Sequence, residues 1–302
     1  MKRKASPILK HSYTDKIFDI INVVIMILLL FLFIMPLWFV LIASISDPLL
    51  VSTGKVILFP KGITLVAYEA LIKHNNILTG YVNTIFYTIT GTSLNLVMTI
   101  LCAYPISRKD FMPRKILLAI YMFTMYFSGG LIPSYLVMKT LGILNTRWAM
   151  ILPGAISVYN MLVMRTYFIN SIPGELQEAA TLDGANIAQY LTKIVLPLSK
   201  PVIAVVGLYY AVSHWNNYYN ALIYLYDEKL YPLQSVLRDL LMSYKTDSTT
   251  NTMSAAAVEN QLNLQQTLKY SVIVAATIPM MCVYPFIQKF FVKGIMIGSV
   301  KG

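Results

Sequence analysis

Glu178-Ala179-Ala180-Thr181-Leu182-Asp183-Gly184, followed by Ile194-Val195-Leu196-Pro197, is the stretch on which the reading of this chain turns. It is built of small and polar residues, and it lies between apolar runs long enough to cross a bilayer. Ser171-Ile172-Pro173-Gly174-Glu175 punctuates its start. Pro173 suits the first helical position, where a missing N–H costs nothing. Glu175 favours the positive end of the helix dipole. Leu176, Ala179, Ala180 and Leu182 are expected to form a weakly apolar face, with Gln177, Glu178 and Asp183 beside it. Gly184 stands where the helix should end, since glycine accepts a left-handed cap. A second short helix is expected from about Asn186 to Lys193, running into Pro197. Together these make a helix–turn–helix on one membrane surface, with small residues where another protein can approach closely.

Composition places the stretch in a membrane protein. Of 302 residues, 57% are hydrophobic and only 12% charged. A soluble domain usually carries about twice that charge. The net charge of +11 does not indicate nucleic acid, because no basic block has aromatics interleaved in a soluble context. Cys102 and Cys282 both fall in apolar runs and suggest packing, neither a disulfide framework nor a metal site.

Outward from this stretch, six apolar runs are expected to span the membrane, giving an all-α integral membrane protein. The first runs from Ile17 to about Ile45, with Pro36 expected to kink it; it is too long for a signal peptide. The second, about Thr84 to Ile106, is dense in small and hydroxyl residues, which suits close helix packing inside a bundle. The third, Ile116 to Met138, holds Gly129-Gly130 and Pro133, where a close approach or a local break is expected. The fourth is Trp148 to about Asn170, the fifth about Pro201 to Tyr226, and the last Tyr270 to about Phe291. Residues 1–16 form a polar N-terminal segment and 17–302 a single transmembrane domain, with the loop 171–197 on one side and a long loop 227–269 on the other.

Six spans place both termini on one side. The short loops set the orientation. Residues 107–115 carry Arg108, Lys109, Arg114 and Lys115, whereas 139–147 carry only Lys139 and Arg147. The positive-inside rule then places both termini and the 171–197 loop in the cytoplasm.

Chemistry is sparse. No GxxxxGK[ST] loop is present, so the chain has no such means of cradling ATP. Three histidines, His11, His74 and His214, form no catalytic or metal constellation, and carboxylates are nearly absent from the spans. No catalytic residue, metal ligand or cofactor of its own is expected, and an enzyme is disfavoured. The most polar intramembrane patch runs from Tyr209 to Asn220. At helical spacing Tyr210, His214, Asn217 and Ala221 share one face, and Ser213, Asn216 and Asn220 the adjacent one. Aromatic rings stack on the C–H faces of sugars and amides bond hydroxyls, so Tyr210, Ser213, His214, Trp215, Asn216, Asn217 and Asn220 are the candidate substrate pathway. An interfacial aromatic belt with inter-helix hydrogen bonds would give the same pattern.

The spacing Glu-Ala-Ala, three residues, Gly, nine residues, Ile, one residue, Leu-Pro resembles the coupling loop of ABC importer permeases. Ile172-Pro173-Gly174-Glu175-Leu176 and Asp183-Gly184-Ala185 look like the carbohydrate, maltose-type branch. Phe127-Ser128-Gly129-Gly130-Leu131-Ile132-Pro133 looks like its subgroup for products of complex polysaccharides. The resemblance implies the type I importer permease fold, in a bacterial cell membrane. It implies a second homologous permease subunit, two cytoplasmic ATPase subunits that bind ATP and magnesium, an extracellular solute-binding lipoprotein, and a carbohydrate, oligosaccharide substrate. It implies ATPase coupling through Glu175, Glu178, Ala179, Ala180, Asp183, Gly184, Ile194, Leu196 and Pro197. It also implies that the tail Gly298, Ser299, Val300, Lys301 and Gly302 reaches the ATPase dimer. Trp215-Asn216 is similar to the family's fifth-span pattern. The rival readings are an ABC permease for a non-sugar solute and a stand-alone secondary carrier. Missing buried carboxylates and inverted repeats argue against the carrier.

Overall fold

The computed structural model describes residues 13–74, 76–247, 263–265, 267–282, 285 and 288. They are helical, with no strand among them. The chain divides into two compact units, residues 1–70 with 248–274, and residues 71–247 with 275–302.

In the first unit α1 (Tyr13–Ser44) runs continuously through Pro36, where a kink is expected from the sequence. Its apolar side chains from Ile17 to Ile34 are exposed. Its C-terminal end is anchored instead. Ile42 and Ala43 pack with Val51 and Val56, and Tyr68 donates its hydroxyl to Ser44 Oγ at 2.9 Å. The short α2 (Pro48–Ser52) begins because Asp47 caps it, accepting the Leu49 N–H at 2.8 Å. The amphipathic stretch expected near Tyr68–His74 forms α3 (Val66–Lys73).

The second unit is organised on α4 (Ile77–Ser107), the second expected span, begun two turns earlier. Asn83, Thr84, Gly91, Asn95 and Thr99 are buried on it. These residues fasten other segments to α4. Asn83 Nδ2 donates to the Lys229 and Tyr231 carbonyls at 2.7 and 3.1 Å. Thr84 Oγ1 accepts the Leu233 N–H at 2.7 Å, and Tyr87 donates to the Leu230 carbonyl at 2.9 Å. Without water to compete, such polar contacts and close backbone approach hold membrane helices together.

The third expected span is two helices, α5 (Arg114–Tyr126) and α6 (Leu131–Thr140), bent by 114°. Gly130, at φ 89°, makes the turn, a backbone state that side chains disfavour. The fourth is likewise interrupted, as α7 (Trp148–Ile151) and α8 (Val158–Ser171), with Pro153 and the left-handed Gly154 between them. Ser157 caps α8, accepting the Asn160 N–H at 3.4 Å.

Next come α9 (Gly174–Leu182), α10 (Ile187–Tyr190), a π-helical turn Leu191–Val195 and α11 (Leu196–Leu198). The fifth expected span is α12 (Lys200–Trp215) and α13 (Tyr219–Tyr224). The amphipathic α14 (Leu233–Asp247) then lays Leu233, Val236, Leu237 and Leu240 into the interior. Residues 267–282 are helical, entering the last expected span at Tyr270.

Among the described residues, Asp15–Ser44 and Ile77–Ser107 are long and apolar enough to cross a membrane. Two bent pairs, α5 with α6 and Ile187–Leu198 with α12, bring the number up to four if each pair is counted as one broken span. The core of the second unit joins α4, α8, α9, α10 and α12: Tyr104, Met161, Met164, Phe168, Ala180, Tyr190, Val195, Val206 and Tyr210 belong to one buried cluster.

Candidate functional site

Two features stand apart from the packing. The first is the knob formed by α9 to α11. Pro173, placed at the first helical position by the sequence argument, sits one residue earlier as the N-cap, with extended backbone at ψ 140°. The helix ends as expected: the Gly184 N–H bonds the Thr181 carbonyl at 3.0 Å, and Gly184 turns left-handed at φ 74°. Asn186 then starts α10 with a reciprocal capping box, its side chain taking the Gln189 N–H at 2.8 Å while Gln189 Oε1 takes the Asn186 N–H at 3.0 Å.

The expected apolar face of α9 is only partly used. Ala180 is buried, whereas Leu176 and Ala179 are exposed and Leu182 is 90% exposed. Ile187, across the turn, is 65% exposed. The tip of the knob therefore presents two bare aliphatic side chains flanking Gly184, with Glu175, Glu178 and Asp183 exposed nearby. Its base is fixed. Ala180, Tyr190 and Val195 lie in the core cluster with Tyr104 and Phe168, and Ile194 packs against that cluster. Leu196 is partly buried and Pro197 exposed.

Beside the base, Arg108 forms a bidentate pair with Asp110, Nε to Oδ1 at 2.9 Å and Nη2 to Oδ2 at 2.6 Å, and its Nη1 donates to the Tyr104 hydroxyl at 2.8 Å. The Arg108 hydrogen bond holds the Asp110 carboxyl below its ordinary range, and the same bond holds the guanidinium above its own. Burial, with Tyr104 adding, raises the Tyr190 phenol. A cleft of about 370 Å³ separates this loop from the start of α9.

The second feature is a polar cavity of about 460 Å³ where α12 gives way to α13, facing the break between α7 and α8. Tyr210, Ser213, His214, Asn216, Asn217 and Asn220 all line it, and Trp215 does not. Instead Trp215 is buried and donates Nε1–H to the Ala276 carbonyl at 2.9 Å. The continuous helical phase assumed from the sequence ends at Trp215. Asn216 Nδ2 donates to the Val212 carbonyl at 3.0 Å, and Asn217 Oδ1 accepts the Asn220 N–H at 3.2 Å. These local bonds compete with helix continuation.

Two of the lining residues are committed to the frame. The Tyr210 hydroxyl accepts the Ser157 N–H at 3.0 Å and pairs with Thr99 Oγ1 at 2.7 Å. His214 Nε2 lies 3.0 Å from Asn95 Oδ1, and Asn95 Nδ2 donates to the Gly154 carbonyl at 2.9 Å. The cavity also takes in Asn95, Ser157, Asn160, Tyr209, Tyr218 and Tyr219. Asn160 escapes a reading of the sequence, where it is a single amide in an apolar run. That isolation was its only signal. The tail Gly298–Gly302 lies outside the described residues.

No protein-family model matches the chain. Among curated proteins, LplC of Bacillus subtilis (strain 168) is 39% identical, the match covering 97% of each chain. The polygalacturonan/rhamnogalacturonan transport system permease protein YtcP of the same organism is also 39% identical, over 95% of this chain and 99% of its own. The chain belongs to the sugar ABC importer permeases. A crystal structure of a bacterial ABC transporter involved in the import of the acidic polysaccharide alginate has a chain with the same fold. It has a TM-score of 0.81 and 34% identity, over 93% of this chain and 98% of that one. As a sugar ABC importer permease, the chain is a transport component and not an enzyme. Its family consists of integral membrane proteins, as the apolar helices require.

Proposed function

We propose that this permease is one of two homologous membrane subunits of a type I ABC importer that carries oligosaccharide across a bacterial plasma membrane. It crosses the membrane six times as a single domain with both termini in the cytoplasm. Two cytoplasmic ATPase subunits supply ATP and magnesium chemistry, and an extracellular lipoprotein delivers the sugar. The knob engages the ATPases through Glu175, Glu178, Ala179, Ala180, Asp183, Gly184, Ile194, Leu196 and Pro197, and the tail Gly298–Gly302 reaches the same dimer. Tyr210, Ser213, His214, Trp215, Asn216, Asn217 and Asn220 belong to the pathway region, most of them at the cavity wall.

One observation supports this reading most: a rigid knob with a bare aliphatic tip, Leu182 at 90% and Ile187 at 65% exposure, on a base buried with α4, α8 and α12. Exposed apolar side chains grouped together and rimmed by polar residues mark interaction surfaces. Closure of the ATPases moves the knob as a lever. Because Ala180, Tyr190 and Val195 share a packed cluster with Tyr104 and Tyr210, the displacement reaches the helices that line the cavity. The ATPases favour one state only through different contacts with the knob in each state.

The test is a Leu182→Glu, Ile187→Glu double variant. Neither side chain is buried, so membrane insertion should be unaltered. The ATPase subunits should no longer co-purify with the tagged chain. Full co-purification with normal sugar-stimulated ATP hydrolysis would refute the docking role.

A further inference from the structure

Ser199 stands where the knob turns into α12, at the apex of an 81° bend between Ile187–Leu198 and Lys200–Trp215. It is 0% exposed, and its hydroxyl has no hydrogen-bond partner among the described residues. A buried hydroxyl left unpaired is costly, and native proteins keep few of them. Other helical hydroxyls of the knob are paired. Thr181 donates to the Gln177 carbonyl at 2.8 Å and Thr192 to the Ala188 carbonyl at 2.7 Å, each four residues back. The equivalent acceptor for Ser199 is the Val195 carbonyl. Ser199 lies off the helical path that would bring its hydroxyl there: φ is −95° and ψ 7°, and its N–H is shared between the Val195 and Leu196 carbonyls at 3.0 and 3.1 Å. One residue earlier a competing bond is made. A continuing helix would give the Leu198 carbonyl to the Val202 N–H, and here the Tyr167 hydroxyl of α8 donates to it at 3.2 Å. The π-helical turn Leu191–Val195 leads into the bend, and such turns gather at functional sites. Pro197 and Pro201 flank it, neither with an N–H to stiffen the joint.

We propose that Ser199 and Tyr167 are a pair of positioning residues at the pivot of the knob, the Tyr167 bond holding the joint bent and the Ser199 hydroxyl drawing it open. This rests on the importer reading above. In the bent state Tyr167 is paired and the Ser199 hydroxyl is not. When the ATPases displace the knob, the joint opens toward the shallower kink of a proline alone. The Leu198 carbonyl then returns to the helix ladder, and the Ser199 hydroxyl reaches the Val195 carbonyl, whose second lone pair accepts it beside the N–H. One hydrogen bond is exchanged for another, so the two states lie close in energy. A partner that contacts them differently can therefore move the equilibrium. Val195 and Val202, on either side of the joint, belong to the buried cluster that includes Tyr210. A change of angle at Ser199 is thus felt in the packing that carries the cavity wall.

The test uses the importer purified through a tag on this chain, with its co-purifying ATPases, in lipid vesicles. Ala188→Cys on α10 and Val212→Cys on α12, both exposed, carry spin labels, and Cys102→Ser with Cys282→Ser removes the native thiols. The distance between the labels is read without nucleotide and after trapping with magnesium ATP and vanadate. It should lengthen as the joint opens, giving a short and a long population whose ratio nucleotide changes. Ser199→Ala should raise the bent-to-open ratio about fivefold, and Tyr167→Phe should lower it about as much, each by removing one hydrogen bond from one state. The double variant should return close to the unaltered ratio. A merely structural role would change the melting temperature and leave the ratio alone. The proposal is wrong if the distance ignores nucleotide in a complex that hydrolyses ATP. It is equally wrong if both single variants keep the ratio within about twofold of the unaltered complex, or shift it in the same direction. Should one variant fail to assemble, the other decides alone. If no ATPase co-purifies with the unaltered chain, the importer reading fails and the proposal fails with it.

Discussion

His214 on α12 packs its imidazole against the bare backbone of Gly91 on α4, with Nε2 3.0 Å from Asn95 Oδ1 one turn further along. Glycine makes room for the ring and asparagine holds it. The same residues fix one wall of the cavity, because Asn95 also reaches the Gly154 carbonyl across the α7–α8 break.

Gly91→Ala is expected to force these helices apart. An added methyl group would collide with the His214 ring on three of its atoms. Overpacking of this kind costs about 1–3 kcal/mol. The apparent melting temperature of the detergent-purified importer should fall, and Gly91→Ala combined with His214→Ala should recover part of the loss. Equal melting of the unaltered and Gly91→Ala proteins would show that the contact is soft.

Tyr210→Phe should also destabilise. Loss of the hydroxyl strands the Ser157 N–H and the Thr99 hydroxyl together. A buried donor left unpaired costs about 1–3 kcal/mol. Thr99→Val should cost less, because Ser157 keeps its acceptor. A double-mutant cycle read by thermal unfolding would measure the coupling, and strict additivity would count against the shared hydroxyl.

Gly184→Ala isolates backbone strain. Space around Gly184 is open, so an added methyl group meets nothing, but φ is 74°. The substitution should cost about 1 kcal/mol locally. Hydrogen exchange across α9 and α10 should rise while α4 and α12 keep their protection. Unchanged exchange at 180–190 would mean that the turn relaxes without cost.

The Arg108–Asp110 pair predicts a pH dependence with a definite sign. The folded protein lowers the Asp110 pKa from its ordinary 3.8. The pair's contribution is therefore complete above that ordinary value and vanishes as the pH falls through the lower folded one. Asp110 is exposed, so the effect is at most about 1 kcal/mol. The stability gap between the unaltered protein and Asp110→Asn should be flat from neutral pH down to about 4 and close below it. A gap that widens on acidification would reverse the assignment.

The knob was legible in the sequence because its signals are local. A glycine that must turn left-handed, a proline before a helix and an acidic first turn each act over a few residues, and Gly184 stands where the sequence puts it. The exposure of Leu182 on the same helix was not legible. Periodicity groups it with Ala180, but only the packing of α4, α8 and α12 decides how wide the buried stripe is, and that stripe stops at Ala180. The spans were legible as apolar runs and not as shapes. The break at Gly130 was signalled by its glycine pair, whereas those at Gly154 and after Trp215 depend on which polar side chains find partners across the bundle.

The sequence alone determined the membrane class, the polar patch between Tyr209 and Asn220, and the knob between bilayer-length runs, since hydropathy and backbone chirality are properties of short stretches. Tertiary structure decided which polar groups are spent on the frame and which line the cavity. Tyr210, His214 and Trp215 proved to be paired within the chain, while Asn160, from a different span, joins them at the cavity region. A hydrogen bond between residues far apart in the chain leaves no trace in the spacing of either, so the pairing becomes visible only when the helices are brought together.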